Sequence, residues 1–222
     1  MFYDTITRQD TDGVTIITLN RPDVMNALNT RMRAELAHAV TAAGQEARAI
    51  VLTGQGHAFC SGQDLSDRET LDDMNLEGTL RDEYIPMLKA ITDCPIPVIA
   101  AVNGPAAGAG ANLALAADVV IATQSASFIQ AFTRIGLIPD AGGTYILPRQ
   151  IGMAKAMGAA LFAEKISADQ ASAWGMIWES VPDDAFKGHW QDRAAYLANG
   201  PTEAFKRVKQ ALRASFQNTF DA

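Results

Sequence analysis

Cysteine is nearly absent from this chain. Its 222 residues hold only Cys60 and Cys94, too few for a disulfide framework and without the spacing of a metal site, so a reducing compartment is predicted. Positive charge is also short: 18 Lys and Arg stand against 25 Asp and Glu, a net charge of -7. With no basic run, that balance excludes nucleic acid as the expected partner. No His-Glu-x-x-His pattern is present, so no metal is expected. Gly54-Gln55-Gly56 and Gly108-Ala109-Gly110 each lack the third glycine of a dinucleotide fingerprint, which removes nicotinamide and flavin cofactors. His57, Ser61 and Asp64 lie close in one segment. Without a Gly-x-Ser-x-Gly elbow they make a poor hydrolase triad. The long apolar zone from Pro95 to Thr123 is broken by Asn103, Gly104, Pro105, Asn112 and Asp118, so it reads as core and not as a membrane span. The first residues, Met1-Phe2-Tyr3-Asp4-Thr5, show no basic stretch leading into an apolar one. A cytoplasmic protein is predicted.

What is present suits a sizeable core: 48% hydrophobic and 19% charged residues in a chain of single-domain length. Strands are predicted at 14–19, 49–53, 97–102 and 119–121, and helices at 30–43, 80–91, 109–117 and 154–162. A polar, acidic connection is expected over 66–79. Ser167 is a candidate N-cap for a helix that Gly175 stops, and Pro201 opens a last amphipathic helix through Phe205, Val208 and Leu212. Trp174 and Trp178, four apart, are expected to share a helix packing face. Alternating strands and helices in the first half predict an α/β core with parallel pairing. The division expected is a core over 1–175 and a helical C-terminal segment over 176–222.

Two segments carry the chemistry, Ala58-Phe59-Cys60-Ser61-Gly62-Gln63-Asp64-Leu65 and Asn103-Gly104-Pro105-Ala106-Ala107-Gly108-Ala109-Gly110. Each follows a β-branched run, so each leaves a strand end. Small residues there let backbone N–H groups approach a substrate carbonyl closely enough to hold an oxyanion. Cys60 lies inside the first segment with no neighbour that would lower its pKa and reads as a packing residue. Asp64 is expected to fix its own loop through backbone hydrogen bonds.

These segments, with Leu19-Asn20-Arg21-Pro22, Met25-Asn26-Ala27-Leu28, Ile99 to Gly104 and Gly136-Leu137-Ile138-Pro139-Asp140-Ala141-Gly142-Gly143-Thr144, resemble the crotonase, or enoyl-CoA hydratase/isomerase, superfamily. The resemblance implies a spiral of ββα units with C-terminal helices supporting a homotrimer or dimer of trimers. It also implies an acyl-CoA substrate and no further cofactor. Backbone N–H groups of Gln63 and Ala109 would be the oxyanion donors. The residues expected to line the substrate are Arg21, Met25, Ala58, Ser61, Gly62, Asp64, Leu65, Gly108, Asn112 and Phe132. Because the net charge opposes a polyanionic CoA, local cations such as Arg21, Arg31 or Arg33 are expected to help. Relatives usually continue past the last helix with further helices that close the site. This chain stops at Ala222, so either the sequence is incomplete or the closing helices are absent.

Hydratases of the family carry two glutamates, and the matching positions here are Asn112 and Phe132. Adding water needs a base for the water and an acid for carbon, whereas moving a double bond can be done by one carboxylate. Asp140 is the candidate, since isomerases of the family place an acid in this segment. Its plainer role would be an N-cap for a helix starting at Ala141. The first glycine-rich segment, Gly136 to Gly143 and Ala171 to Trp178 are most similar to family isomerases. Other expectations compatible with the residues are a hydratase and a non-catalytic acyl-CoA-binding subunit.

Overall fold

The computed structural model describes residues 2–66 and 75–221, so much of the acidic connection predicted over 66–79 lies outside the described residues. Its centre is a six-stranded sheet in the order β1-β2-β3-β4-β6-β9. The strands are β1 (Ile6–Thr11), β2 (Val14–Leu19), β3 (Ala49–Gly54), β4 (Val98–Val102), β6 (Val119–Thr123) and β9 (Glu179–Val181). All neighbours pair in parallel except β1 with β2, a hairpin turned at Asp12-Gly13, both at positive φ. A smaller sheet joins β5 (Ala106–Ala107), β7 (Ser127–Ile129) and β8 (Ile166–Ser167).

Strands β3 and β4 are apolar along their length because both sheet faces are covered. Ile50, Leu52, Val98, Ala100 and Val102 belong to one buried cluster with Met32, Leu36 and Val40 of α1 (Thr30–Glu46). Ala49, Val51, Ile99 and Ala101 face the other way, against Phe186, Trp190, Ala194 and Ala198 of α7 (Phe186–Asn199). The period of two along each strand therefore serves two cores.

The remaining helices are α2 (Leu76–Thr79), α3 (Ile85–Thr92), α4 (Ala109–Leu115), α5 (Gly143–Phe162), α6 (Ala168–Ala173) and α8 (Thr202–Ala214). A π-helical turn, Leu80–Tyr84, joins α2 to α3. The predicted helices and strands of the first half fall on these elements. Ser167 caps α6 by accepting from the Gln170 N–H.

Several expectations are corrected. α5 begins at Gly143, well before residue 154, because Pro148 sits inside it and a non-helical Gly152 kinks it; those breakers hid its first half. Strand β1 was not predicted: Ile6 is its single fully buried residue, so it has no alternating signal. Beyond Gly175, β9 completes the main sheet and α7 covers one face of it. Trp174 and Trp178 share no helix face, because α6 ends at Ala173 and Gly175 turns the chain at φ +75°. Trp178 is exposed. Helix α8 buries no side chain fully. It is tied down by Asp118, which binds Lys209 at 2.6 Å and Arg213 at 2.8 Å. No helix among the described residues is long and apolar enough to cross a membrane.

Candidate active site

Both glycine-rich loops leave parallel strands at the same end of the sheet, β3 and β4. They are then locked to each other. Phe59 N–H and Cys60 N–H donate to the Pro105 carbonyl, and Ala107 N–H donates to Cys60 carbonyl at 2.9 Å. Asn103 spans the gap: its side-chain oxygen accepts from Gly54 N–H at 2.9 Å and its amide donates to Gly56 carbonyl at 3.0 Å. On the outer side, Leu28 N–H donates to Gly62 carbonyl at 2.7 Å and Asp64 N–H donates to Leu28 carbonyl at 3.1 Å.

That pattern consumes the groups on either side of Gln63 but leaves its own N–H without a partner among the described residues. Ala109, the first residue of α4, is in the same position, as helix-opening N–H groups are. A glycine at positive φ precedes each of them, Gly62 at +98° and Gly108 at +52°. Only glycine takes these angles readily. A Cβ on Gly62 would lie 2.8 Å from the Ala107 carbonyl oxygen and 3.4 Å from the Ala109 nitrogen. The two unpartnered N–H groups thus belong to loops in van der Waals contact, as a two-donor anion site requires.

Asp140 approaches from a third loop. Ala141 and Gly142 are both left-handed, at φ +46° and +82°, and lift Asp140 clear of α5, whose N-cap is Gly142. The side chain is therefore no N-cap. Its carbonyl accepts from the Asn112 amide at 2.8 Å, which ties it to α4, and Asn112 in turn accepts from Gln130 at 2.9 Å. One carboxyl oxygen of Asp140 is buried with no hydrogen-bond partner among the described residues. Burial pushes its pKa up to about 6, against a lowering contribution from its own backbone N–H.

The other expected site residues divide. Met25 and Leu65 are exposed apolar groups at the rim, and Phe132 is buried with its ring edge 3.7 Å from where a Cβ on Gly108 would sit. Ser61 donates weakly to the Val24 carbonyl at 3.3 Å. Ala58 is buried, and its carbonyl accepts from Asn26 at 2.9 Å. Asn112 has no exposed surface, so it holds the Asp140 loop and does not line open space.

Each of the expected cations pairs with a carboxylate. Arg21 turns inward to Asp64 at 2.7 Å and to the Ala27 carbonyl, and fully buried Arg33 is bound to Glu83 at 2.6 Å. Arg31 pairs with Asp4 and Glu35 on α1. Asp64 does fix its loop: although its burial opposes ionisation, bonds from Ser66 and Arg21 keep its pKa low. Those partners exclude it from a triad with Ser61 and His57. Burial pushes the Cys60 thiol up to about 12, leaving it an inert packing group. Among the described residues no three His, Cys, Asp or Glu side chains gather as a metal site would need. Sequence reasoning missed Arg33, Tyr84 and Gln130 as supports of these loops, because their partners are distant in the chain.

Residues 9–222 match the family model described as enoyl-CoA hydratase/isomerase. The chain is 63% identical, over its whole length and 86% of the relative, to a Rhodobacter capsulatus protein named "Probable enoyl-CoA hydratase". It is 45% identical to the 1,2-epoxyphenylacetyl-CoA isomerase of Escherichia coli, covering 94% of this chain and 82% of that one. An enoyl-CoA hydratase structure from Bacillus anthracis superposes with a TM-score of 0.90 at 33% identity, over 98% of this chain and 86% of that chain.

Proposed function

This chain belongs to the enoyl-CoA hydratase/isomerase family, enzymes of CoA thioesters, and on that premise we propose that it is an isomerase with Asp140 as its single acid/base. The observation that carries the reading is the Asp140 carboxyl itself: partly desolvated, with one oxygen unpartnered among the described residues, on a loop whose backbone carbonyl at Asp140 is held to α4 by the Asn112 amide. Asn112 and Phe132 stand where the resemblance puts the glutamates of a hydratase. An amide and a phenyl ring can neither activate water nor protonate carbon.

In the proposed reaction the thioester oxygen lies between the Gln63 and Ala109 N–H groups. The Asp140 carboxylate takes a proton from a carbon conjugated with the thioester. The C–H electron pair moves into the acyl chain and the negative charge collects on the oxygen, where the two donors hold it. Asp140, now protonated, returns the proton to another carbon, so the double bond moves and no atom is added or lost. The substrate we favour is ring-1,2-epoxyphenylacetyl-CoA, converted to its isomeric oxepin as the bond between the two epoxide carbons opens and the ring double bonds shift, on the identity to the Escherichia coli isomerase and the apolar wall that Phe132 offers an aryl group; the proton relay above is the form the reaction takes on a 3-enoyl thioester. A straight-chain 3-enoyl thioester is the nearest alternative. In the same reading, sister subunits of a trimer cover the exposed Val208, Leu212 and Phe216.

The test follows deuterium. Wild type and Asp140→Asn are incubated with phenylacetyl-CoA or a 3-enoyl-CoA in deuterated water, and label entry next to the thioester is followed. Exchange in wild type, lost in the variant with ligand binding intact, is expected. Exchange that survives the substitution would move the chemistry to another residue. No exchange in either, despite binding, would favour a binding protein. Hydration has support in the name of the Rhodobacter relative, and rapid water addition to crotonyl-CoA would overturn the isomerase reading.

A further inference from the structure

The oxyanion reading needs only the backbone of Gln63, yet the Gln63 side chain is held by buried polar groups. Its carbonyl oxygen accepts from the Tyr84 hydroxyl at 2.5 Å and from the Arg33 guanidinium at 3.2 Å. Arg33, with no exposed surface, also donates to the Leu28 carbonyl at 2.6 Å, and that residue grips both neighbours of the Gln63 peptide. The guanidinium carbon lies 4.9 Å from the centre of the Tyr84 ring, and Glu83 accepts from Arg33 at 2.6 Å.

The supporting helix is deformed at this point. Pro86 has no N–H to continue the α-helical ladder, and Ile85 N–H reaches back to Leu80 carbonyl in a π-turn. Through it the consecutive side chains of Glu83 and Tyr84 both reach Arg33. Burying a guanidinium and a phenol beneath a loop is costly unless every polar group is paired. Here the pairs converge on one amide oxygen, and the peptide of that residue carries an unpartnered N–H.

We propose that Tyr84 is a positioning residue for the oxyanion donor: with Arg33 it clamps the Gln63 side chain and keeps the Gln63 N–H aimed at the thioester oxygen. The inference rests on the oxyanion reading given above. A donor misaimed by a fraction of an ångström loses most in the transition state, where the charge is greatest. Removing the clamp should therefore lower kcat and spare KM.

The experiment uses Tyr84→Phe, Gln63→Leu and the double variant, with Asp140→Asn as a control. An aryl-acryloyl-CoA serves as an optical probe, because donors on its carbonyl shift its absorbance to the red. Tyr84→Phe is expected to lose about ten- to thirty-fold in kcat with KM changed less than about two-fold. The red shift of the bound probe should shrink. Gln63→Leu should lose a similar factor and the double variant little more, since both cut one link. A Tyr84→Phe enzyme with wild-type kcat and an undiminished red shift would overturn the proposal. So would losses that multiply in the double variant and follow its melting temperature, the mark of a purely structural role. A wild-type protein that binds the probe with no red shift would overturn the oxyanion reading and this inference with it. A red shift that responds to Tyr84→Phe while Asp140→Asn retains full exchange would sink the Asp140 assignment alone.

Discussion

Asp140 shows how burial that raises a carboxyl's proton affinity also costs the protein stability. Its carboxyl ionises near about 6 because burial disfavours the charge. If it acts as base, kcat/KM should rise with pH through about 6 and level off above it, a limb that Asp140→Asn abolishes along with about 10²- to 10⁴-fold of the rate. Stability should run the other way. A carboxyl whose pKa is raised on folding binds its proton more tightly folded than unfolded, so stability falls as pH rises from the ordinary 3.8 through about 6. Asp140→Asn should therefore be more stable than wild type at pH 8, by up to about 2 kcal/mol, and gain nothing at pH 3, as urea unfolding at the two pH values would read. An aspartate in this segment was legible in the sequence. That its neighbours Ala141 and Gly142 are left-handed, which denies it the N-cap role, was not, because an alanine at positive φ is imposed by its surroundings.

The two glycine-rich loops depend on close backbone approach. Gly110, inside α4, has the Cys60 carbonyl against it, and a Cβ there would also lie 2.7 Å from Cys60 Sγ. A glycine-to-alanine change in a helix ordinarily stabilises by about 0.5–1 kcal/mol. Gly110→Ala should instead destabilise by about 3 kcal/mol and weaken thioester binding, because the α4 loop must back away from Cys60. Gly158→Ala in α5, where nothing lies within 4 Å, should show the ordinary stabilising sign. Urea midpoints of the two variants, compared with wild type, check both. Sequence spacing exposed these loops because glycine at a strand end has few other uses. It gave no view of α5 as a helix from Gly143, since Pro148 and Gly152 look like breakers and only the kink at Gly152 reconciles them.

Across the whole molecule, attachment is uneven. Most elements are held by apolar burial, but α8 is fastened through Asp118, which is mostly buried and also accepts from Val98 N–H at 2.9 Å. Lys209 binds it with a side chain only 9% exposed and donates to the Ile96 carbonyl as well. Asp118→Ala would leave that ammonium without its carboxylate and should cost about 2–3 kcal/mol. Hydrogen exchange should then speed up across residues 202–214 while β3 and β4 stay protected. Unchanged exchange there would mean that α8 is held by other contacts.

The sequence by itself determined the periodic elements of the first half, the two glycine-rich loops, the single candidate carboxylate and the family. These rest on local rules, strand and helix periodicity and the steric freedom of glycine, which need no knowledge of distant residues. Tertiary structure decided which charges face inward. Arg21 and Arg33 look like plain surface cations in the chain and become the supports of Asp64 and Gln63 only when folding brings their partners in from 30 to 50 residues away and from other elements. It also made Asn112 the fastening of the Asp140 loop and drew β9 and α7 into the core. Side-chain pairing and burial are properties of the packed chain, and neither leaves a periodic trace along it.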